Sequence, residues 1–398
     1  MRPGIIVQYS RVPDRGSNTV RGDVAGIIGF IPPERWPEGA CAGDFIELRL
    51  RDKSDLFEHP DRYLFDDAAV QAVGAFFING GAGAYLMGVC LSSLNDLKTP
   101  ASTAGVLRPL FDRLRSEDEI AILLVPGAAY LRCEVARDGS VRADAEVLYD
   151  ELLAHCREMD NRFLIMDVPK GLHGEPLLRW IREYRQRELA TRSYGAIYYP
   201  WLMNGDDLVP ASGAIAGTYA RIEGEHAPFG VSWPPANTPI FGVTHCEVEL
   251  DWHEAGVYAE ESVNPIVLQQ GRGIVAFGAR TLSDDPNFQF INTRRIVNMV
   301  TEQLRRDSEW AVFETNNPHL WNVLERDVRF RMNEFAGAGL LEDPEGGEGY
   351  LVKCDRETNS VLERDQGCVQ VQISMRPIGT VETIIVDLTI GDNGPRSD

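Results

Sequence analysis

Three groups of residues have types and spacings that chemistry uses. The first is the stretch FFINGGAGAYLMGVC, Phe76 to Cys90, with Gly80, Gly81 and Gly83 in its middle. Glycine loops cradle phosphate when a strand runs into the loop and a helix leaves it, because the first amides of that helix then face the anion. Here the order is reversed. Val70, Val73, Phe76 and Phe77 fall at helical spacing ahead of the glycines, behind two aspartates, Asp66 and Asp67, of the kind that favours a helix start. AYLMGVCL, on the far side, reads as a short buried strand. Leu86 stands where a dinucleotide fingerprint needs its third glycine, and no Gly-Lys-Ser/Thr follows. The glycines are therefore predicted to end a helix in the left-handed conformation that glycine tolerates, and no cofactor is expected.

The second group, His245, Cys246, His253 and Glu254 in THCEVELDWHE, holds ligand types for a metal. On one continuous strand the two histidines would share a face. Zinc sites gather three or four ligands at tight spacing, and no second cluster lies nearby, so these are read as ordinary polar residues of a strand and no metal is expected. The third group centres on Ser212 in VPASGAIAG. A G-x-S-x-G elbow fails because Pro210 takes the place of its first glycine, and no histidine sits where it would serve Ser212 as a base. Ser212 is expected in a turn. The pairs Asp66–Asp67 and Asp284–Asp285 fit helix starts, and Trp310, Phe313, Trp321, Phe330 and Phe335 fit a helical core. No catalytic residue is assigned.

These groups have to be positioned by a chain of 398 residues, long enough for two or three domains with real cores. Its 44% apolar content is ordinary for a folded soluble protein, and a formal net charge of −21 argues against a nucleic-acid partner. Seven cysteines, an odd number with no C-x-x-C pair, fit reduced thiols in a cytoplasmically made protein. No apolar run is long enough to span a membrane, and no signal peptide follows Met1.

From VAGIIGFIP to about residue 210 the pattern alternates between helix and strand. The strands EIAILLVPG, RFLIMDVP and YGAIYYPWL are separated by AEVLYDELLAHCREM and EPLLRWIREYRQREL, which read as helices. Continuous apolar strands in such alternation predict an α/β fold with a parallel sheet covered on both faces. The last third differs: strands HCEVELDW and GIVAFGART lead into two long helices, FQFINTRRIVNMVTEQLRR and NPHLWNVLERDVRFRMNEFAGAG, an acidic loop and a short strand, YLVKCD. Each end carries a lone β-like run. Ile5 and Val7 lie in the first, and Ile384, Val386, Leu388 and Ile390 share one face of the second. Neither has a local hairpin partner, so each has to find a sheet edge elsewhere.

Several motifs together resemble one family. Gly256 to Val300, GVYAEESVNPIVLQQGRGIVAFGARTLSDDPNFQFINTRRIVNMV, is similar to the C-terminal signature of contractile tail sheath proteins, found in phage tails, R-type pyocin-like particles and extracellular contractile injection systems. WAVFETNNPHLWNVLERDV, YLVKCDRETNS and VPASGAIAGTYARIEGEHAPFGVSWPPAN continue the likeness, which covers most of the chain and is strongest from residue 205. PGIIVQYS matches the usual opening only loosely, and residues 35–65 and 130–195 fall outside the likeness.

The resemblance implies a subtilisin-like α/β core without the protease triad, plus a smaller α+β C-terminal domain and extended strand arms. The expected division is an N-terminal arm, 1–23, an outer α/β domain, 24–245, an inner C-terminal domain, 246–376, and a C-terminal arm, 377–398. It implies a structural subunit, not an enzyme, that is made in a bacterial cytoplasm and forms hexameric rings stacked around an inner tube. Baseplate and cap proteins would be its other partners, with no nucleic acid and no membrane insertion. The arms would add strands to neighbouring copies. A helix of the C-terminal domain would meet the tube through charge, which makes Arg294, Arg295, Arg305 and Arg306 on the first long helix, or Arg326, Arg329 and Arg331 on the second, the candidates. The same arginines fit a solvated face that pairs with local acids. An α/β hydrolase, a ligand-binding α/β protein and a baseplate- or cap-proximal sheath paralogue are the competing readings.

Overall fold

The computed structural model describes residues 20–187, 190–342, 347, 349–360 and 368–380. The run around Ile5 and Val7 and the run from Ile384 to Ile390 lie outside the described residues. The chain opens with β1 (Ala25–Ile31) and β2 (Phe45–Leu50), then α1 (Lys53–Phe57), α2 (Asp67–Ile78), β3 (Ala84–Cys90) and α3 (Pro100–Arg115). β4 (Ile122–Leu124) precedes a hairpin of β5 (Cys133–Val135) and β6 (Val141–Ala143). α4 (Ala145–Met159), β7 (Phe163–Asp167), α5 (Gly174–Arg185) and β8 (Gly195–Tyr199) follow. β9 (Leu202–Asn204) and β10 (Asp207–Val209) lead to α6 (Ser212–Glu225). Next come β11 (Thr238–Pro239), β12 (His245–Cys246), α7 (Trp252–Glu260), β13 (Val263–Gln269) and β14 (Gly273–Ala276). α8 (Ile291–Asp307), α9 (Pro318–Gly337), β15 (Tyr350–Lys353) and β16 (Gln372–Met375) complete the order.

Nine strands form one mixed sheet in the order β11-β14-β13-β8-β7-β4-β1-β3-β2. The run from β13 to β3 is parallel, while β2, β14 and β11 pair antiparallel at the edges. Every residue of β1, β3, β4, β7 and β8 is buried, as the continuous apolar runs predict. Alternate residues feed two cores. Ile28 and Met87 pack with Leu107 and Leu110 of α3, Leu148 and Leu152 of α4 and Ile181 of α5. Ile27 and Leu86 pack on the other side with Val73 and Phe76 of α2 and Ile215 and Tyr219 of α6.

The glycine loop ends a helix, as expected. Asp66 caps the start of α2, its carboxylate accepting from the Ala69 amide at 3.0 Å, and Gly80 leaves its end at φ +106°. Four features depart from the sequence reading. Ser212 opens α6 instead of a turn, because Gly213 and Gly217 let that helix lie directly on α2. A β-carbon at Gly213 would stand 2.6 Å from Ala72 Cα, and one at Gly217 2.2 Å from the Phe76 carbonyl oxygen. HCEVELDW gives only the two-residue β12; Asp251 and Glu254 then form a capping box that starts α7. Asp284 and Asp285 lie in a loop, Asp284 paired with Arg185 and Asp285 accepting from the Asn287 amide. β13 was not foreseen, since Asn264 and Pro265 interrupt its pattern. The Asn264 side chain is satisfied there by Ile197 O, Arg280 O and the Arg280 amide.

β13 and β14 belong to the large sheet, so a boundary at residue 245 would cut it. A third core forms beyond them, where Ile296, Met299, Val300 and Leu304 of α8 meet Val328, Met332 and Phe335 of α9, Val20 and Val352. Trp321 and Phe335 are buried as expected, but Trp310, Phe313 and Phe330 are exposed, Phe313 wholly so and at φ +70°. Trp310 and Phe313 lie in the short connection between α8 and α9, and Phe330 takes an outer position on α9.

The glycine contact predicts contrasting outcomes on one helix. Gly217→Ala should lower stability by about 1–3 kcal/mol through overpacking against α2. Gly224→Ala, where a β-carbon meets nothing within 4 Å, should be neutral or stabilising by up to about 1 kcal/mol. Urea unfolding midpoints of the two variants would check this; equal effects would contradict the close contact.

Candidate assembly surfaces

The residues that could have carried chemistry are dispersed or sealed. His245 is exposed on β12 beside Thr244 Oγ1, and Cys246 is buried next to it. His253 and Glu254 lie instead on the first turn of α7, where Glu254 accepts the Asp251 amide at 3.1 Å. Among the described residues no group of three or more His, Cys, Asp or Glu side chains could hold a metal. The fold does bring Ser212 to an acid. Its amide donates to Asp167 Oδ1 at 2.8 Å, at the carboxyl end of β7. Both residues are buried, and burial pushes the Asp167 carboxyl up to about 7. Sealed from solvent, the pair offers no nucleophile to a substrate.

A cleft of about 640 Å³ opens at the carboxyl ends of β1, β3 and β4, where parallel sheets commonly seat ligands. Its lining includes Asp66, Asp67, Asp207, Lys170 and Tyr130. Asp66 is committed to structure: its carboxylate accepts the Phe30 and Ala69 amides and so ties β1 to α2. Lys170 lies over the ring of Tyr130, 5.0 Å from its centroid.

The arginines expected to meet a partner divide into three kinds. Arg294 and Arg295 are buried and present no charge outward, which corrects the expectation for both. Arg294 is held between the rings of Phe288 and Tyr194, 3.7 and 4.2 Å from their centroids, and donates to Ser193 Oγ. Arg295 lies over Tyr219, donates to the Gly22 carbonyl at 2.8 Å and faces Glu223, whose carboxyl burial pushes up to about 7. Aromatic partners, Phe288 close in sequence and Tyr194 and Tyr219 far from it, bring these guanidinium groups inside.

Arg305, Arg306, Arg329 and Arg331 sit at the surface in local pairs. Arg305 bridges Glu302, Asp118 and Glu309, and Arg306 also bonds Glu302. Arg329 pairs with Glu325, while Arg331 joins α9 to Asp307 at the end of α8. Arg326 differs: 73% of its side chain is exposed, and among the described residues its one ion pair is with its neighbour Asp327, at 3.2 Å. The exposed contacts, Arg326 with Asp327, Arg329 with Glu325 and Arg305 with Asp118 and Glu309, are worth about 0–1 kcal/mol each, whereas Glu302 is buried and holds Arg305 and Arg306 more firmly. Beside them the connection from α8 to α9 exposes Trp310, Val312 and Phe313. Bare aromatic rings and exposed charges of this kind suit association.

Known proteins resemble the chain in sequence and in fold. Residues 283–391 match the phage tail sheath C-terminal domain. The tail sheath protein of Enterobacteria phage T4 is 26% identical over 162 residues, which are 40% of this chain and 24% of that protein. The chain thus spans about a quarter of the length of the curated relatives it matches. Among solved structures, a chain of the PVC extracellular contractile injection system sheath complex in its contracted state superposes with a TM-score of 0.73. It is 20% identical and covers 98% of each chain. A chain of the anti-feeding prophage baseplate gives a TM-score of 0.72 at 22% identity, covering 98% of this chain and 99% of that one. The resemblance to contractile tail sheath proteins is borne out, and the fold is theirs along nearly the whole chain. The family and structural matches are to structural tail proteins, not to enzymes.

The two buried carboxyls carry a pH dependence. Asp167 and Glu223 both have folded-state pKa values near 7, raised above the values of about 4 that carboxyls have in an unfolded chain. Their contribution is complete below about pH 4 and is lost as pH rises through about 7, by a few kcal/mol in all. The melting temperature should therefore fall less between pH 5 and pH 8 in Asp167→Asn than in the parent. Equal falls would show that Asp167 does not titrate in this window.

Proposed function

We propose that this chain is the sheath subunit of a contractile, phage-tail-like injection machine. Copies polymerise as stacked hexameric rings around an inner tube, and the lattice contracts to drive the tube through a target envelope. The observation that carries the reading is the pairing of a sheath C-terminal domain with a sheath fold over nearly the whole chain. The absence of an accessible nucleophile at Ser212 fits a core related to subtilisin in layout but without its triad. Assembly would take place in a bacterial cytoplasm, with baseplate and cap proteins closing the ends. A baseplate-proximal paralogue that does not polymerise alone is the second reading, favoured by the likeness to a chain of the anti-feeding prophage baseplate.

The terminal segments would bind copies to one another. Burying Ile384, Val386, Leu388 and Ile390 against a neighbour contributes about 1.5–3 kcal/mol each, or roughly 6–12 in all. Ordering about ten residues costs on the order of 1–2 kcal/mol apiece. A single arm thus nearly breaks even, and a lattice holds because many arms act at high effective concentration. Ile5 and Val7 would do the same from the other end. Arg326 and Arg329 on α9, with Arg305 at the end of α8 through its exposed contacts to Asp118 and Glu309, are the cations placed to exchange their local acids for acids of the tube, while Arg306 stays on the buried Glu302. Arg331 instead braces α9 against α8.

Negative-stain electron microscopy of the chain, alone and co-expressed with a tube protein encoded beside it, tests the proposal. Hollow ribbed cylinders are expected, and removal of the residues after Gly379 should abolish them while leaving a folded monomer. Dispersed monomers in both samples would move the baseplate-proximal reading to first place.

A further inference from the structure

α8 buries more polar side chains than a helix between two layers needs. Asn292, Arg294, Arg295, Asn298, Glu302 and Gln303 are all buried. Some bolt α8 to the large sheet: Arg294 reaches Ser193, and Asn298 Nδ2 donates to the Arg162 carbonyl at 3.1 Å, just ahead of β7. Three others do something different. Gln303 Oε1 accepts the Val20 amide at 2.9 Å, and Arg295 donates to the Gly22 carbonyl. Gly22 fits only because it lacks a β-carbon, which would stand 2.8 Å from Val231 and 2.9 Å from Glu223. At the other end of the helix, Asn292 Oδ1 accepts the Thr380 hydroxyl at 2.7 Å, and its Nδ2 faces the Ile378 carbonyl at 3.4 Å. The Ile378 amide is itself fixed to Leu340 O at 2.9 Å.

Val20 and Thr380 are the points at which the described chain meets residues 1–19 and 381–398. Both are therefore held by one helix, from positions eleven residues apart, or about 16 Å along its axis. We infer that α8 is a two-ended strut, with Gln303 and Arg295 fixing the exit of the N-terminal segment and Asn292 fixing the exit of the C-terminal one. The helix thereby fixes where residues 20–22 and 378–380 lie relative to each other. This rests on the reading that those segments link copies. Asn292, Arg295 and Gln303 are positioning residues. Because α8 is also bolted to the sheet, a rotation of the whole copy carries both exits with it as one body.

The test uses the full-length chain and the variants Gln303→Met and Asn292→Leu, each of similar shape but without the polar atoms, singly and together. Hydrogen–deuterium exchange should quicken roughly fivefold at residues 20–24 in Gln303→Met, as expected when a bond worth about 1 kcal/mol is lost. It should quicken likewise at residues 376–380 in Asn292→Leu, with β7 unchanged in both. Gln303→Glu, which keeps an acceptor for the Val20 amide, should retain protection. A variant in which β7 also exchanges faster has lost its fold and is replaced by Gln303→Asn, which withdraws the acceptor by one methylene. The double variant should yield few or no cylinders when co-expressed with the tube protein. Unchanged exchange at both exits would overturn the anchoring, and loosened exits with a parental yield of cylinders would overturn its role in assembly. If the parent forms no cylinders, the sheath reading fails, while the exchange rates still decide whether α8 holds the two exits.

Discussion

Ile27 and Ile28 point to opposite sides of β1, and neither meets water. That double burial governs the molecule. A parallel strand with apolar groups on both faces can satisfy its backbone only through neighbouring strands and its side chains only through two covering layers. α3, α4 and α5 cover one side of the sheet and α2 and α6 the other. The second layer is thinned to fit, since α6 presents Gly213 and Gly217 where it lies on α2. Antiparallel β2 and β11 then end the sheet, and the Asp66 carboxylate ties the first strand to the first long helix.

The C-terminal layer solves a different problem. α8 lies against the sheet unit on one side and α9 on the other, so it is buried nearly all round, yet its sequence is rich in arginine, asparagine and glutamine. Each buried polar group needs a partner or costs its desolvation. The partners come from distant parts of the chain: Ser193, Arg162, Gly22, Val20 and Thr380. Specific attachment of this kind fixes orientation where an apolar contact would allow sliding.

Much of the fold was legible in the sequence because double burial writes itself as uninterrupted apolar runs, and the glycine loop could be read from the order of its flanks. What escaped had local causes. Pro265 disguised β13, and the capping box of Asp251 and Glu254 was overlooked in a segment that otherwise alternates like a strand. Gly213 looked like a turn because its purpose, contact with α2, lies some 140 residues away in sequence. The arginines were hardest. Charge alone gives Arg294 and Arg326 the same prospects, and only the rings of Phe288 and Tyr194 decide that one is inside. Gln303 and Asn292 gave one unused signal, namely polar residues on the inward-facing positions of an amphipathic helix.

The contact of α6 with α2 also bears on how such a protein changes over generations. At Gly217 there is no space for any side chain, so substitution there requires two helices to separate, and with them the layer they form. At Arg326, 73% exposed, a replacement disturbs one ion pair among the described residues. A lineage can rewrite the outer charges freely and keep its architecture, provided a few positions without a β-carbon persist. Chains that share about a fifth of their residues can then still superpose along almost their whole length, as this chain does on a chain of the PVC sheath complex.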